Sequence, residues 1–217
     1  MADNGRYVHL VDDDEAIRRS ASFMLRTSGY LVKTYASGVE FLGVAKEVPS
    51  GCILLDVRMP EMDGLEVQAA LKERGVLLPV VVMTGHGDIG TAVEAMKLGA
   101  VDFIEKPFEK AVLLSAIETS FERLEKSAKR HARADEARVR LAVLTPRELD
   151  VMKGLVRGHP NKTIAYDLDI SPRTVEIHRA NLMTKLEVHS LSEALRIAFT
   201  AGLGGDEGDT AAGGERL

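Results

Sequence analysis

Apolar positions in the first 125 residues fall into short, near-continuous runs separated by longer stretches with helical spacing. The segment 7-YVHLVDDDEA-16 is an apolar run passing into acidic residues, and further runs lie at 30–37, 52–56, 79–84 and 101–106. These runs are rich in Val, Ile and Leu, as expected of strands covered on both faces. Helical patterns fill the intervals at about 14–28, 38–46, 64–75, 88–99 and 109–124, with Gly29 closing the first. Five strands alternating with five helices predict a doubly wound α/β domain with a parallel sheet.

The pattern changes after position 120. Residues 121–140 are charged, Ala-rich and free of Pro and Gly, with too few apolar positions for a core. They predict a helical linker extending the fifth helix, with a frayed surface helix or a two-chain coiled coil as alternatives. Thr145, Pro146 and Glu148 then supply a capping residue, a first-turn proline and an acid at the third helical position, and Gly158 closes that helix. A short helix within 160–170, another over 171–186 with a Ser-Pro start, and a last one over about 191–201 complete a compact all-α, four-helix unit. The expected organisation is 1–124, an α/β domain; 125–142, the helical linker; 143–203, the all-α domain; and 204–217, a Gly-rich acidic tail expected to be disordered. The tail contains 204-GGDEG-208, similar to a cyclic-dinucleotide synthase signature, but no catalytic domain surrounds it.

Charge separates the two halves. Residues 1–120 carry 12 Lys and Arg against 18 Asp and Glu, net −6, whereas residues 121–203 carry 15 against 11, net +4. An acidic front and a mildly basic back suggest two tasks. Cys52 is the only cysteine, which excludes an intrachain disulfide, fits a reducing compartment and suits a core position. The start is polar, and the longest apolar run, 76–83, is far shorter than the ~20 residues that span a bilayer. A cytoplasmic protein with no membrane partner is expected.

Ligands of open α/β sheets bind beyond the carboxyl ends of the strands. Asp56 ends the run 52–56 and is followed by a loop holding Pro60 and Gly64. Other strand ends bring up Asp12, Asp13, Thr84 and Lys106. Clustered carboxylates repel unless a cation sits among them, and an open oxygen-rich site suits Mg²⁺. Such a site would let Asp56 attack a phosphoryl donor, with Thr84 and Lys106 holding the oxygens of the moving group.

In the all-α domain, a short helix, a tight turn and 171-SPRTVEIHRANLMTKL-186 have helix-turn-helix organisation. Helical spacing places Val175, Leu182 and Leu186 inward, with His178 or Arg179 between them. Arg173, Glu176, Ile177, Ala180 and Thr184 then face outward. Glu176 suits cytosine N4, and Ile177 and Ala180 suit a thymine methyl. Arg173, Arg179 and Lys185 are candidate phosphate contacts with Asn161, Lys162 and Thr163, and Thr174 belongs to the same candidate surface.

The motifs 11-VDDDE-15, 55-LDVRMPEMDG-64, 83-MTGHGD-88 and 103-FIEKPF-108 resemble, in order and spacing, the receiver domain of a two-component response regulator. The stretches 144–158 and 161–186 resemble a LuxR-type helix-turn-helix domain, and the chain up to about 203 is similar to FixJ-like regulators of the NarL/FixJ family. The resemblance implies that Asp56 is the phosphoacceptor of a sensor histidine kinase. It implies Mg²⁺ on Asp13, Asp56 and the backbone carbonyl of Arg58, with Asp12 binding through water. It gives Thr84 and Phe103 switch roles and Lys106 the pairing with phosphate. Homodimerisation through the surface around 91–101 is implied, where Val93, Met96 and Leu98 serve the interface or the core, and the last helix pairs two DNA-binding domains. Promoter DNA and RNA polymerase are the implied further partners. No enzyme activity is implied beyond self-phosphotransfer and slow autodephosphorylation. Two rivals make different demands. A haloacid-dehalogenase-like phosphatase needs a second Asp at position 58, where Arg stands. A constitutive DNA-binding protein with a degenerate receiver conflicts with the complete set of pocket residues.

Overall fold

The computed structural model describes residues 5–85 and 89–204. The chain divides into two compact units, Met1–Ser127 and Ala128–Leu217. In the first, β1 (Tyr7–Val11), β2 (Leu31–Tyr35), β3 (Gly51–Asp56), β4 (Val80–Thr84) and β5 (Asp102–Glu105) form one parallel sheet in the order β2-β1-β3-β4-β5. The helices between them are α1 (Glu15–Arg26), α2 (Gly38–Val44), α3 (Gly64–Glu73) and α4 (Ile89–Leu98), and α5 (Lys110–Leu141) follows β5.

The strand alternation sorts two cores. Cys52 and Leu54 of β3 pack with Val8, Leu10, Val81 and Met83 against Leu25 of α1 and Leu113 and Ile117 of α5. Ile53 and Leu55 point the other way, to Phe41, Val67 and Ala95 of α2, α3 and α4. Every residue of β3 is therefore buried, which is why its sequence shows no polar alternation. Cys52 lies in this core, and burial pushes its thiol up to about 12.

Helix starts fix the loops above the sheet. Asp14 caps α1 by accepting the N–H of Ala16 at 2.7 Å. Asp63 and Glu66 form a reciprocal capping box at α3. Gly64 is required there, because a Cβ would collide with the Asp56 carbonyl oxygen. The loop after Asp56 is thereby pressed onto the strand end.

The helix α5 continues for 32 residues without a break. No residue between Phe121 and Ala137 is buried, as the composition of the predicted linker requires. In the second unit, Ala137 and Leu141 join a core shared by α6 (Pro146–Val156), α7 (Asn161–Asp167), α8 (Pro172–Lys185) and α9 (Leu191–Thr200). The capping box at Thr145 and Glu148 opens α6. Gly154 lets α7 approach α6, since a Cβ there would meet Ile164 Cγ1 at 2.7 Å. The expected disordered tail and most of the GGDEG sequence lie outside the described residues, as do residues 86–88 of the predicted motif 83–88.

Candidate functional site

In a sheet of this strand order the topological switch falls between β1 and β3, and the crevice above it is the expected binding place. The register sets Val11 beside Leu55, so the residues that follow, Asp12 and Asp56, emerge as neighbours. Asp12 is fully buried and Asp56 is 5% exposed. One carboxylate oxygen from each of Asp12, Asp13 and Asp56 lies within 4.8 Å of the others. Thr84 is buried at the end of β4, and its backbone carbonyl accepts the Lys106 N–H at 2.8 Å. This bond holds Lys106 over the pocket. Its ammonium lies 2.7 Å from Asp12 Oδ2 and 2.8 Å from Asp56 Oδ1.

The charges balance in a particular way. Burial pushes the Asp56 carboxyl above the usual carboxylate range and Asp12 adds to this, against the lowering effects of Lys106 and of the Arg58 N–H that donates to it. Burial also works against the Lys106 cation, but bonds to Asp12 and Asp56 outweigh it and raise the ammonium. Asp12 and Asp56 share one lysine and Asp13 adds a third carboxylate beside them, so the carboxylates outnumber the ammonium they meet. With its oxygens within 4.8 Å of one another, the cluster is near the spacing of about 3–4 Å between ligand oxygens of an octahedral ion at a metal–oxygen distance of about 2.1 Å, which small side-chain rotations would reach. The donor set is all oxygen, hard and partly open through the exposed Asp13, which fits Mg²⁺.

Two residues of this site were not singled out in the sequence. The Asp14 N–H donates to Asp12 Oδ1 at 2.9 Å, and Arg18 donates to the backbone carbonyls of Asp12 and Asp13 at 2.7 and 2.8 Å. The run of acids before a helix pattern is a capping signal that marks Asp14. A side chain reaching back to carbonyls leaves no signature in the sequence.

Phe103, in β5, is 46% exposed and lies outside both cores of the first unit. Nearby on α4, Ile89, Val93 and Met96 are exposed and Leu98 is partly buried. The surface predicted around 91–101 is thus apolar and open at Val93 and Met96.

In the second unit the predicted inner stripe holds: Val175, Leu182 and Leu186 are buried, and His178 and Arg179 are half-buried. Arg173, Glu176, Ile177, Ala180 and Thr184 face solvent. Ser171 caps α8 by accepting the Thr174 N–H at 3.1 Å. Lys162 is exposed, and Asn161, Thr163 and Thr174 are half-buried. Arg179 donates to Asn161 Oδ1 at 2.8 Å and so ties α8 to the start of α7. Arg173 pairs with Glu176 at 3.3 Å on the surface. Lys185 lies 2.8 Å from Glu148 Oε2, and Glu148 is 3% exposed. Burial pushes the Glu148 carboxyl up, but Lys185 and Thr145 outweigh burial and hold it below its usual value. The Lys185–Glu148 pair and the bond from Arg140 to the Leu186 carbonyl, at 2.6 Å, fix the end of α8. Neither was legible in the sequence, where Glu148 counted only as a cap.

Known protein families match both units. Residues 8–118 match the response regulator receiver domain, and residues 142–198 match the bacterial regulatory proteins of the LuxR family. The chain belongs to the two-component response regulators of the NarL/FixJ family and is a DNA-binding transcription regulator. It is 49% identical to the transcriptional regulatory protein FixJ of Rhizobium meliloti, over 91% of this chain and 97% of that one. It is 40% identical to the response regulator protein TodT of Pseudomonas putida, over 91% and 87% of the two chains. The crystal structure of full-length FixJ from B. japonicum is similar, with 46% identity, a TM-score of 0.58 and coverage of 91% of this chain and 98% of that one. Among the described residues no helix is long and apolar enough to cross a membrane.

Proposed function

We propose that Asp56 accepts a phosphoryl group from a sensor histidine kinase. The observation that carries this reading is the buried Asp56 carboxylate within 4.8 Å of the Asp12 and Asp13 oxygens and 2.8 Å from Lys106 Nζ. An Asp56 oxygen attacks phosphorus, a new O–P bond forms and the N–P bond of a phosphohistidine breaks, its electron pair returning to the imidazole. Asp13, Asp56 and the Arg58 carbonyl would hold Mg²⁺, with Asp12 linked through water. The bound ion would neutralise charge on the transferring oxygens. Lys106 shifts from Asp56 to the new phosphoryl oxygens, and the Thr84 hydroxyl closes on another. The α1 face beside the pocket, with Phe23 exposed among Arg18, Arg19 and Arg26, is the surface assigned to the kinase.

Movement at Thr84 and Phe103 alters the neighbouring α4 surface, where exposed Val93 and Met96 support dimerisation. A two-fold dimer then sets two α8 helices on half-sites of promoter DNA, where the regulator acts with RNA polymerase, in the cytoplasm, to activate transcription. Asn161, Lys162, Thr163, Arg173, Thr174, Arg179 and Lys185 are the proposed phosphate-side set, and Glu176, Ile177 and Ala180 the base-side set. Lys185 contributes as a field source and as an anchor of α8, since it is already paired with Glu148.

Beryllofluoride with Mg²⁺ mimics an aspartyl phosphate. Sedimentation of the wild-type chain is expected to show a monomer without it and a dimer with it, and Asp56→Asn is expected to stay monomeric. The same oligomer in all four samples would sink activation by dimerisation.

A further inference from the structure

The helix proposed to read DNA, α8, has little apolar surface to hold it. Of its 14 residues only Val175 and Leu182 are buried, about two turns apart. Burial has no direction, so a seam this thin holds α8 down without fixing its roll about its own axis. Hydrogen bonds are directional, and among the described residues three side-chain bonds tie α8 to other helices. Arg179 donates to Asn161 of α7, Lys185 meets Glu148 of α6, and Arg140, in the last turn of α5, donates to the Leu186 carbonyl. The first two are open to competition from DNA, because Arg179 and Lys185 belong to the proposed phosphate-side set. Arg140 is outside that set, and its partner is backbone.

The end of α8 closes by its own bonds: the N–H groups of Leu186, Glu187 and Val188 donate to the carbonyls of Leu182, Thr184 and Met183 at 2.9, 3.1 and 3.1 Å. The Leu186 carbonyl takes no part in that closure. Losing Arg140 therefore leaves the helix formed and releases its orientation. The base from which Arg140 reaches is firm, since Ala137 and Leu141 on either side of it are buried in the core of the second unit. We propose that Arg140 is a positioning residue for sequence reading: through the Leu186 carbonyl it sets the roll of α8, and with it the presentation of Glu176, Ile177 and Ala180 to base edges. The inference rests on the proposed reading of bases by α8. Binding to DNA of any sequence draws on phosphate charge instead and depends less on that roll.

The full chain, with beryllofluoride and Mg²⁺ throughout, is titrated with two duplexes of equal length, one that the wild type selects from a random-sequence pool and a scrambled version of it. The readout is the ratio of the two affinities. The folded fraction cancels from this ratio, so a merely stabilising role would not move it. Arg140→Met keeps the apolar stem and removes the donors, and is expected to lower the ratio about tenfold, as one misplaced base contact would. Arg140→Lys keeps a donor on a long stem and is expected to restore most of the ratio. Arg138→Ala, which removes an equal charge from the same turn, is expected to keep the wild-type ratio. Ile177→Ala tests the underlying reading by itself. A wild-type ratio in Arg140→Met beside a lowered one in Ile177→Ala overturns the proposal and leaves the reading in place. Wild-type ratios in both remove the reading, and the proposal with it. An equal fall in Arg138→Ala also overturns the proposal and reduces Arg140 to a source of charge.

Discussion

At the carboxyl end of β3 the charged groups hold one another. Asp12 and Asp56 share the Lys106 ammonium inside a nearly closed pocket, and Arg18 and the Asp14 N–H brace the loop that carries them. On the outer face of α8 the polar groups face water, and both members of the Arg173–Glu176 pair are exposed. Under the proposed function, the difference reflects what each surface meets. A phosphoryl group is small and identical in every encounter, so its site is organised beforehand from fixed charges. A DNA groove is large and varied, and its reader keeps side chains free to be ordered by the partner.

The largest expected effect lies in the organised pocket. Asp56→Asn preserves shape and removes the proposed nucleophile, so phosphoryl incorporation from radiolabelled acetyl phosphate should fall by at least ~100-fold. Incorporation at the wild-type level would place the acceptor elsewhere and break the comparison at its root.

A smaller effect sharpens it inside the second unit, where one pair joins a buried carboxylate to an exposed lysine. Glu148→Gln leaves Lys185 without its counter-charge and weakens a cap, and should lower the unfolding free energy of that unit by about 2 kcal/mol in urea. The pH dependence has a defined sign. The carboxyl of Glu148 is lowered in the folded chain, so its contribution is complete above its ordinary value of 4.5 and is lost as pH falls through the lower folded value. Acid should therefore erode the wild type more than Glu148→Gln, and parallel acid curves for the two would remove this pair from the stability account.

The smallest effect tests the open face. Ile177→Ala should leave stability within about 0.5 kcal/mol of wild type. It should reduce discrimination at one base position by about 1 kcal/mol in binding assays. Lys162→Ala should instead weaken all DNA sequences alike and lessen the salt dependence. An Ile177→Ala protein that unfolds readily would show that this face belongs to the core after all.

The sequence displayed one kind of information far better than another. Strands covered on both faces are continuous apolar runs, so β3 and its terminal Asp56 were plain to read, as were Thr84 and Lys106 at other strand ends. Caps were equally legible at Thr145 and Glu148, because their spacing is local. What escaped was contact between distant positions. Nothing near Lys185 announces Glu148, 37 residues earlier, and nothing near Arg140 announces the Leu186 carbonyl. Arg18 reaches only a few residues back, yet it binds carbonyl oxygens, which every residue type offers. The two apolar faces of α4 were also ambiguous: helical spacing alone did not separate Val93 and Met96, which are exposed, from Ala92 and Ala95, which are buried.

The division of α8 into a buried stripe and a bare face has a consequence for descent. Val175, Leu182 and Leu186 hold the helix in place, whereas Glu176, Ile177 and Ala180 are exposed and Glu176 makes only a surface pair with Arg173. If these positions read bases as proposed, a lineage can exchange the letters it reads at a handful of codons while the scaffold stays as it was. The acidic pocket offers less freedom, because losing Lys106 strands two buried carboxylates at once and losing either Asp12 or Asp56 takes away one of the lysine's two partners. Duplicated copies of such a gene are free to part company in the promoters they serve long before they part in how they are switched.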